Sequence, residues 1–159
     1  RLYRKAGGRL NLVIAGKDSG LYALKCKAYS FIFMPKGSVC FTGNREGIDD
    51  LVLKAAALIA PCRFEGFGFT VVEAMYRKCP VIGFDGCGIK EQFDNGLERT
   101  GQEIGLRFRS VRELADRMTG PAPDEEMKER ALRTVTELYT VNRHADQVEA
   151  FYKDMLGHE

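Results

Sequence analysis

In the stretch CRFEGFGFTVVEAM (residues 62–75), Glu65 and Glu73 flank a run that holds Gly66, Gly68 and Thr70. Seven residues separate the two carboxylates. One carboxylate can accept hydrogen bonds from two adjacent hydroxyls, as on a ribose, and Glu73 is the candidate for that task. If a helix starts near Thr70, the amides from Gly68 to Val71 lack intrahelical acceptors and stand at the positive end of the helix dipole. Such a terminus suits a diphosphate. Glu65, ahead of the glycines, would then lie on the other side of the phosphates. A second reading stays open. Thr70-Val71-Val72-Glu73 fits T-x-x-E, the capping box, in which Thr70 accepts from the Glu73 amide and Glu73 bonds back. Glu73 would then serve only the helix start.

Either chemistry requires a helix start held at the end of a strand. Short apolar, β-branched runs predict strands at LNLVIAG (10–16), VCFTG (39–43), ALIAP (57–61), PVIGF (80–84) and IGLRF (104–108). Helices are predicted between them at about 20–29, at IDDLVLKAA with Asp49 and Asp50 in its first turn, and at 70–77. GIKEQFDNG reads as a short helix that Asn95-Gly96 stops. SFIFMPKGS is ambiguous, with Pro35 ending whatever precedes it. Only helices follow. SVRELADRM carries Ser110 as N-cap and Glu113 three residues on, DEEMKERALRTVTELY starts acidic, and NRHADQVEAFYKDMLG ends at Gly157. Strands without polar alternation suit a parallel sheet buried on both faces. The expected fold is α/β, a doubly wound, Rossmann-like parallel sheet with C-terminal helices closing it.

In an open parallel sheet, ligands bind beyond the carboxyl ends of the strands. Glycine stands at each of the first four exits: Gly16-Lys17-Asp18, Thr42-Gly43-Asn44, Glu65-Gly66-Phe67-Gly68 and Asp85-Gly86-Cys87-Gly88. Glycine lets backbone approach a phosphate closely, although ordinary turns between strand and helix favour it too.

Composition narrows the classes. A chain of 159 residues fits one domain with a sizeable core. A net charge of +2, from 24 basic and 22 acidic side chains, argues against a general nucleic-acid binder. The five cysteines form no C-x-x-C pair, and His144 and His158 lie far from them in sequence, which disfavours zinc. Reduced thiols in a cytoplasmic protein are expected. No apolar run is long enough for a membrane span and no signal peptide is visible.

The segment PCRFEGFGFTVVEAMYRKCPVIGFDGCGIKE resembles the nucleotide-sugar-binding half of retaining GT-B glycosyltransferases, the large glycosyltransferase family 4 (group 1). The family pattern is E-x7-E followed by Ala-Met or similar, Pro-Val at a strand, then a glycine-containing loop and a Glu. Here Glu65, Glu73, Ala74, Met75, Pro80, Val81, Gly88 and Glu91 appear in that order. LNLVIAGKD, VCFTGN and NGLERTGQEIGLRF extend the resemblance over residues 10–108.

The resemblance implies that Glu73 holds the donor ribose and that Glu65, the catalytic candidate, lies by the donor sugar. It places Gly66, Gly68, Phe69 and Thr70 around the diphosphate, and Gly16 and Asn44 near the nucleoside. It also implies a UDP- or GDP-sugar donor, retention of anomeric configuration, and no bound metal or other cofactor. Asp49-Asp50 is adjacent, not Asp-x-Asp, and the helix start explains it. Family members carry an Arg and a Lys that neutralise the leaving diphosphate, on a strand and helix expected ahead of Arg1. Arg1, Arg4 and Lys5 do not match that pair. Lys17 is the substitute candidate for phosphate contact, with a solvated loop lysine as the other reading. Cys62 stands where the family usually has Ser.

Residues 1–159 are thus expected to form the nucleotide-sugar domain of a larger two-domain enzyme, inactive without an N-terminal acceptor half. Tyr139, Phe151 and Tyr152 would form an apolar surface facing that half. The expected location is cytoplasmic, or peripheral to a membrane through the other half. The rivals are a nucleotide-sugar epimerase or hydrolase of the same fold, and a nucleotide-binding module without chemistry.

Overall fold

The computed structural model describes residues 10–17 and 19–157. Arg1, Arg4, Lys5, Asp18 and His158 lie outside the described residues. The chain divides into two compact units, residues 1–54 with 110–121, and residues 55–109 with 122–159.

In the first unit β1 (Leu12–Ala15) pairs in parallel with β2 (Val39–Gly43), with Leu12 opposite Val39 and Ile14 opposite Phe41. Parallel neighbours need a crossover, and α1 (Leu21–Phe33) provides it. The ambiguous SFIF run belongs to this helix. Met34 caps it in extended conformation, as a residue preceding proline must. Helix α2 (Ile48–Lys54) carries Asp49 and Asp50 in its first turn and Lys54 in its last, both favourable to the dipole.

The second unit holds β3 (Leu58–Ala60), β4 (Val81–Phe84) and β5 (Leu106–Phe108), all parallel, in the order β3-β4-β5. Helix α3 (Phe69–Tyr76) joins β3 to β4, and α4 (Cys87–Thr100) joins β4 to β5. The central strand β4 buries Val81 and Ile82, as expected of a strand covered on both faces. Val71, Ala74 and Met75 of α3 and Ile89 and Phe93 of α4 are also buried. Helix α5 (Val111–Thr119), assigned to the first unit, starts at Ser110, whose Oγ accepts from the Glu113 amide at 3.2 Å. Helix α6 (Glu125–Leu138) packs on α3 and α4 and buries Ala131 and Val135. Its first amides are capped by Asp124, which accepts from the Met127 amide at 2.7 Å. So, of the C-terminal helices expected to close the fold, α6 does so for this unit. The last helix, α7 (Val141–Leu156), has no buried residue, and Phe151 and Tyr152 are exposed on it.

The helix containing GIKEQFDNG does not stop at Asn95-Gly96. It continues to Thr100 and ends at Gly101 in the left-handed conformation. Gly96 is there because of what packs on it. A Cβ at that position would lie 2.3 Å from Ile104 Cδ1. The helix accepts about 1 kcal/mol of glycine penalty in exchange for seating a buried isoleucine.

The carboxyl ends of β4 and β5 are tied by a charge cluster. Arg107 Nη1 contacts Asp85 Oδ1 at 3.1 Å and Asp94 Oδ1 at 2.6 Å, and its Nε contacts Glu103 at 3.0 Å. Arg109 adds a 2.7 Å contact to Asp85 Oδ2. The Asp85 side chain is buried. Burial pushes its carboxyl up, but hydrogen bonds from Arg109 and Arg107 outweigh that and hold it below the ordinary aspartate value. A depressed folded value contributes stability above the unfolded pKa of about 3.9, which is lost as pH falls through the folded value. Thermal melts should therefore show Tm falling steeply as pH drops below about 4. Asp85→Asn should melt lower at pH 7 and give a flatter acid limb. Parallel limbs for both proteins would refute this role for Asp85.

Among the described residues no helix is long and apolar enough to cross a membrane.

Candidate functional site

The loop from β3 to α3 is built around Gly68. This residue is left-handed, φ 85° and ψ 55°, and its carbonyl accepts from the amides of Val71 at 2.9 Å and Val72 at 3.3 Å. The helix therefore begins at Phe69, with Gly68 as N-cap and no side-chain cap. This corrects the capping-box reading. Thr70 is already inside the helix, so it does not cap the Glu73 amide. It also removes Val71 from the amides left over, because its N–H is used. Those of Gly68, Phe69 and Thr70 make no hydrogen bond among the described residues. A left-handed residue leading into a helix start gathers such amides into an anion-binding concavity.

The same loop is held from one side by α4. The Gly88 amide donates to the Glu65 carbonyl at 3.0 Å. One turn further along, Gln92 Nε2 donates to the Phe67 carbonyl and, at 3.4 Å, to the Gly68 carbonyl. Gln92 is only 1% exposed, and its buried Oε1 has no partner among the described residues. Cys87, between Gly86 and Gly88, sits at φ +48°, a strained value for a residue with a side chain.

The predicted residues of this unit are brought together on that loop and the first turns of α3. Glu65 is half-buried and folds back on Gly68, its Cγ 3.3 Å from where a Cβ of residue 68 would stand. A Cβ on Gly66 would meet nothing within 4 Å, so packing does not require glycine there. Phe69, Thr70 and Glu73 are exposed, and Glu73 stands four and three positions after the other two, on one helix face. Among the described residues neither Glu65 nor Glu73 has an ion-pair partner, whereas Asp85, Asp94 and Glu103 are engaged. Arg63, two positions before Glu65, lies over the Phe84 ring, 5.8 Å from its centroid.

Gly16, Lys17 and Asn44 belong to the first unit. There they gather at the carboxyl ends of the paired strands β1 and β2, where the Gly16 amide donates to the Gly43 carbonyl at 3.0 Å. All three are exposed.

Two supports escaped sequence reasoning. The strand exit and the family pattern point to Gly88 without indicating that its amide holds the Glu65 carbonyl, and no sequence signal points to Gln92. Tyr139 was assigned to a bare surface, but it is half-buried, accepts from Asn95 Nδ2 at 3.1 Å, and sets its ring edge-on to Phe67 at 5.3 Å.

A family pattern for "Glycosyl transferases group 1" matches residues 1–133 of this chain. The chain belongs to that family. The curated protein "Lipopolysaccharide core biosynthesis mannosyltransferase LpcC" of Rhizobium leguminosarum bv. viciae is 29% identical over 121 residues, 75% of this chain and 34% of that protein. "N-acetyl-alpha-D-glucosaminyl L-malate synthase" of Bacillus anthracis is 27% identical over 122 residues, 74% of this chain and 31% of that protein. The chain thus spans about a third of the length of these curated relatives. Among solved structures, Anabaena Alr3699/HepE in complex with UDP-glucose matches with a TM-score of 0.74 at 17% identity, over 96% of this chain and 44% of that one. At that identity the likeness establishes the fold, an α/β arrangement with parallel sheets like the Rossmann-like C-terminal domains of GT-B glycosyltransferases.

Proposed function

We propose that this group 1 glycosyltransferase chain supplies the donor-binding domain of a retaining, metal-independent enzyme that transfers a sugar from a UDP- or GDP-sugar to an acceptor. The observation that carries the reading is the loop at Gly68. Three amides without acceptors sit at a helix start, with the carboxylate of Glu65 on one side and that of Glu73 on the first turns of the same helix. Anabaena Alr3699/HepE, which has the same fold, has been solved in complex with UDP and with UDP-glucose, which supports a nucleotide-sugar ligand.

In this reading the amides of Gly68, Phe69 and Thr70 hold the diphosphate. As the bond from the anomeric carbon to the phosphate oxygen breaks and one from that carbon to the acceptor's nucleophilic atom forms on the same face, the electron pair of the broken bond goes to the diphosphate, which also takes up the acceptor's proton. The fixed N–H dipoles and the α3 terminus favour the charge that develops there. Glu73 accepts from the two ribose hydroxyls, and Glu65 lies by the transferred sugar. Gly16 and Asn44 border the nucleoside, and Lys17 contacts phosphate. The acceptor is bound by a separate half of the enzyme, and the protein works in carbohydrate biosynthesis in the cytoplasm.

Calorimetric titration of the full chain with UDP, GDP and their monophosphates tests the donor assignment. One diphosphate should bind about tenfold or more tighter than its monophosphate, the increment of a charge-assisted contact. Absence of binding by both diphosphates would overturn it. For the two-domain enzyme that includes the acceptor half, turnover that persists in EDTA, with a product of unchanged anomeric configuration by NMR, is the expected outcome for the mechanism. An inverted product, or activity abolished by the chelator, would refute that part.

A further inference from the structure

The two contacts from α4 do more than fasten the loop. In a trans peptide the C=O of one residue and the N–H of the next point in opposite directions. Turning a carbonyl toward α4 therefore turns the following amide away from α4. The Glu65 carbonyl is taken by the Gly88 amide, which turns the Gly66 N–H outward. The Phe67 carbonyl is taken by Gln92 Nε2, which turns the Gly68 N–H outward. The Gly68 carbonyl is shared between Gln92 Nε2 and the first α3 amides, which turns the Phe69 N–H outward. Gly88 and Gln92 stand four apart on one helix face, so a single turn of α4 sets three peptide planes.

We propose that Gln92 is a positioning residue for the diphosphate. It would act through the Phe67 and Gly68 carbonyls, aiming the Gly68 and Phe69 amides at the anion. The inference rests on the donor reading given above. Its further support is that Gln92 is 1% exposed and its amide donor goes to two carbonyls of this one loop, while its Oε1 has no partner among the described residues. Gln92 also abuts Gly68 directly, since a Cβ there would lie 3.5 Å from its Nε2. Its donor meets only the carbonyls whose following amides are assigned to the diphosphate, so in this reading its effect falls on the diphosphate and not on the ribose or the base.

The experiment compares UDP and UMP, with GDP and GMP in parallel, on the full chain by calorimetry. The variants are Gln92→Met, which keeps the length without a donor, and Gln92→Glu, which keeps the shape and puts an oxygen where Nε2 was. Thermal melts confirm that each is folded at the assay temperature. Both variants should bind the diphosphate about tenfold more weakly, with monophosphate affinity within about twofold of wild type, so that the diphosphate preference collapses. A merely structural role would weaken the two ligands alike. A folded variant that keeps the wild-type ratio overturns the proposal. A wild-type protein with no diphosphate preference overturns both this inference and the donor reading, whereas a preference untouched in both variants overturns this one alone.

Discussion

Gly88→Ala should lose about 3 kcal/mol of stability, the upper end for overpacking, and should lose nucleotide binding even where it remains folded. An alanine Cβ would lie 2.2 Å from the Gly66 carbonyl oxygen, 2.8 Å from the Gly66 carbonyl carbon and 3.0 Å from the Glu65 oxygen. All three atoms are backbone, so no rotamer relieves the clash. Either the loop moves off α4 or the start of α4 tilts, and the Gly88 to Glu65 hydrogen bond breaks in both cases. For a chain of this size the Tm should fall by about 6–12 °C. Gly66→Ala is the matched control. Its Cβ meets nothing within 4 Å, so stability should change by no more than about 0.5 kcal/mol. A Gly88→Ala protein that melts like wild type would show that the loop and α4 are not in the contact described.

Glu73→Ala should weaken UDP or GDP binding by about 10- to 150-fold, the loss of about 1.5–3 kcal/mol from hydrogen bonds to a charged group. The side chain is exposed and has no ion-pair partner among the described residues, so the Tm should stay close to wild type. The assignment to ribose hydroxyls has its own check. Wild type should discriminate against the 2′-deoxynucleotide, and the Ala variant should not. Equal heats for wild type and variant with the ribonucleotide would remove Glu73 from the site.

The strands were legible because they are short apolar runs closed by glycine or proline, and β2 coincides with its predicted limits at Val39 and Gly43. The helix starts at Ser110 and Asp124 were equally plain, since each side chain accepts the amide three residues on. Thr70 misled because T-x-x-E is a pattern of residue types, whereas a helix begins where backbone dihedrals allow. Gly68 reaches the left-handed region without penalty and starts the helix one residue earlier. Asn95-Gly96 misled for the opposite reason. Those residues commonly end helices, but Ile104, eight positions on, needs the space that Gly96 leaves. The carboxylates were legible as candidates because their spacing is local. Gln92 was not, because nothing in a single helical sequence says which polar residue turns toward a loop 25 positions earlier.

The family pattern ends at residue 133, five residues before the end of α6 at Leu138. The ring of Tyr139, immediately beyond that helix, rests on Phe67, and Phe67 in turn meets Phe69 at 5.0 Å. A boundary drawn where resemblance to relatives stops would therefore cut through a helix and carry away an aromatic prop of the loop. For anyone trimming this protein for expression, the physical edge of the unit lies past Tyr139, not at the last residue that similarity can recognise.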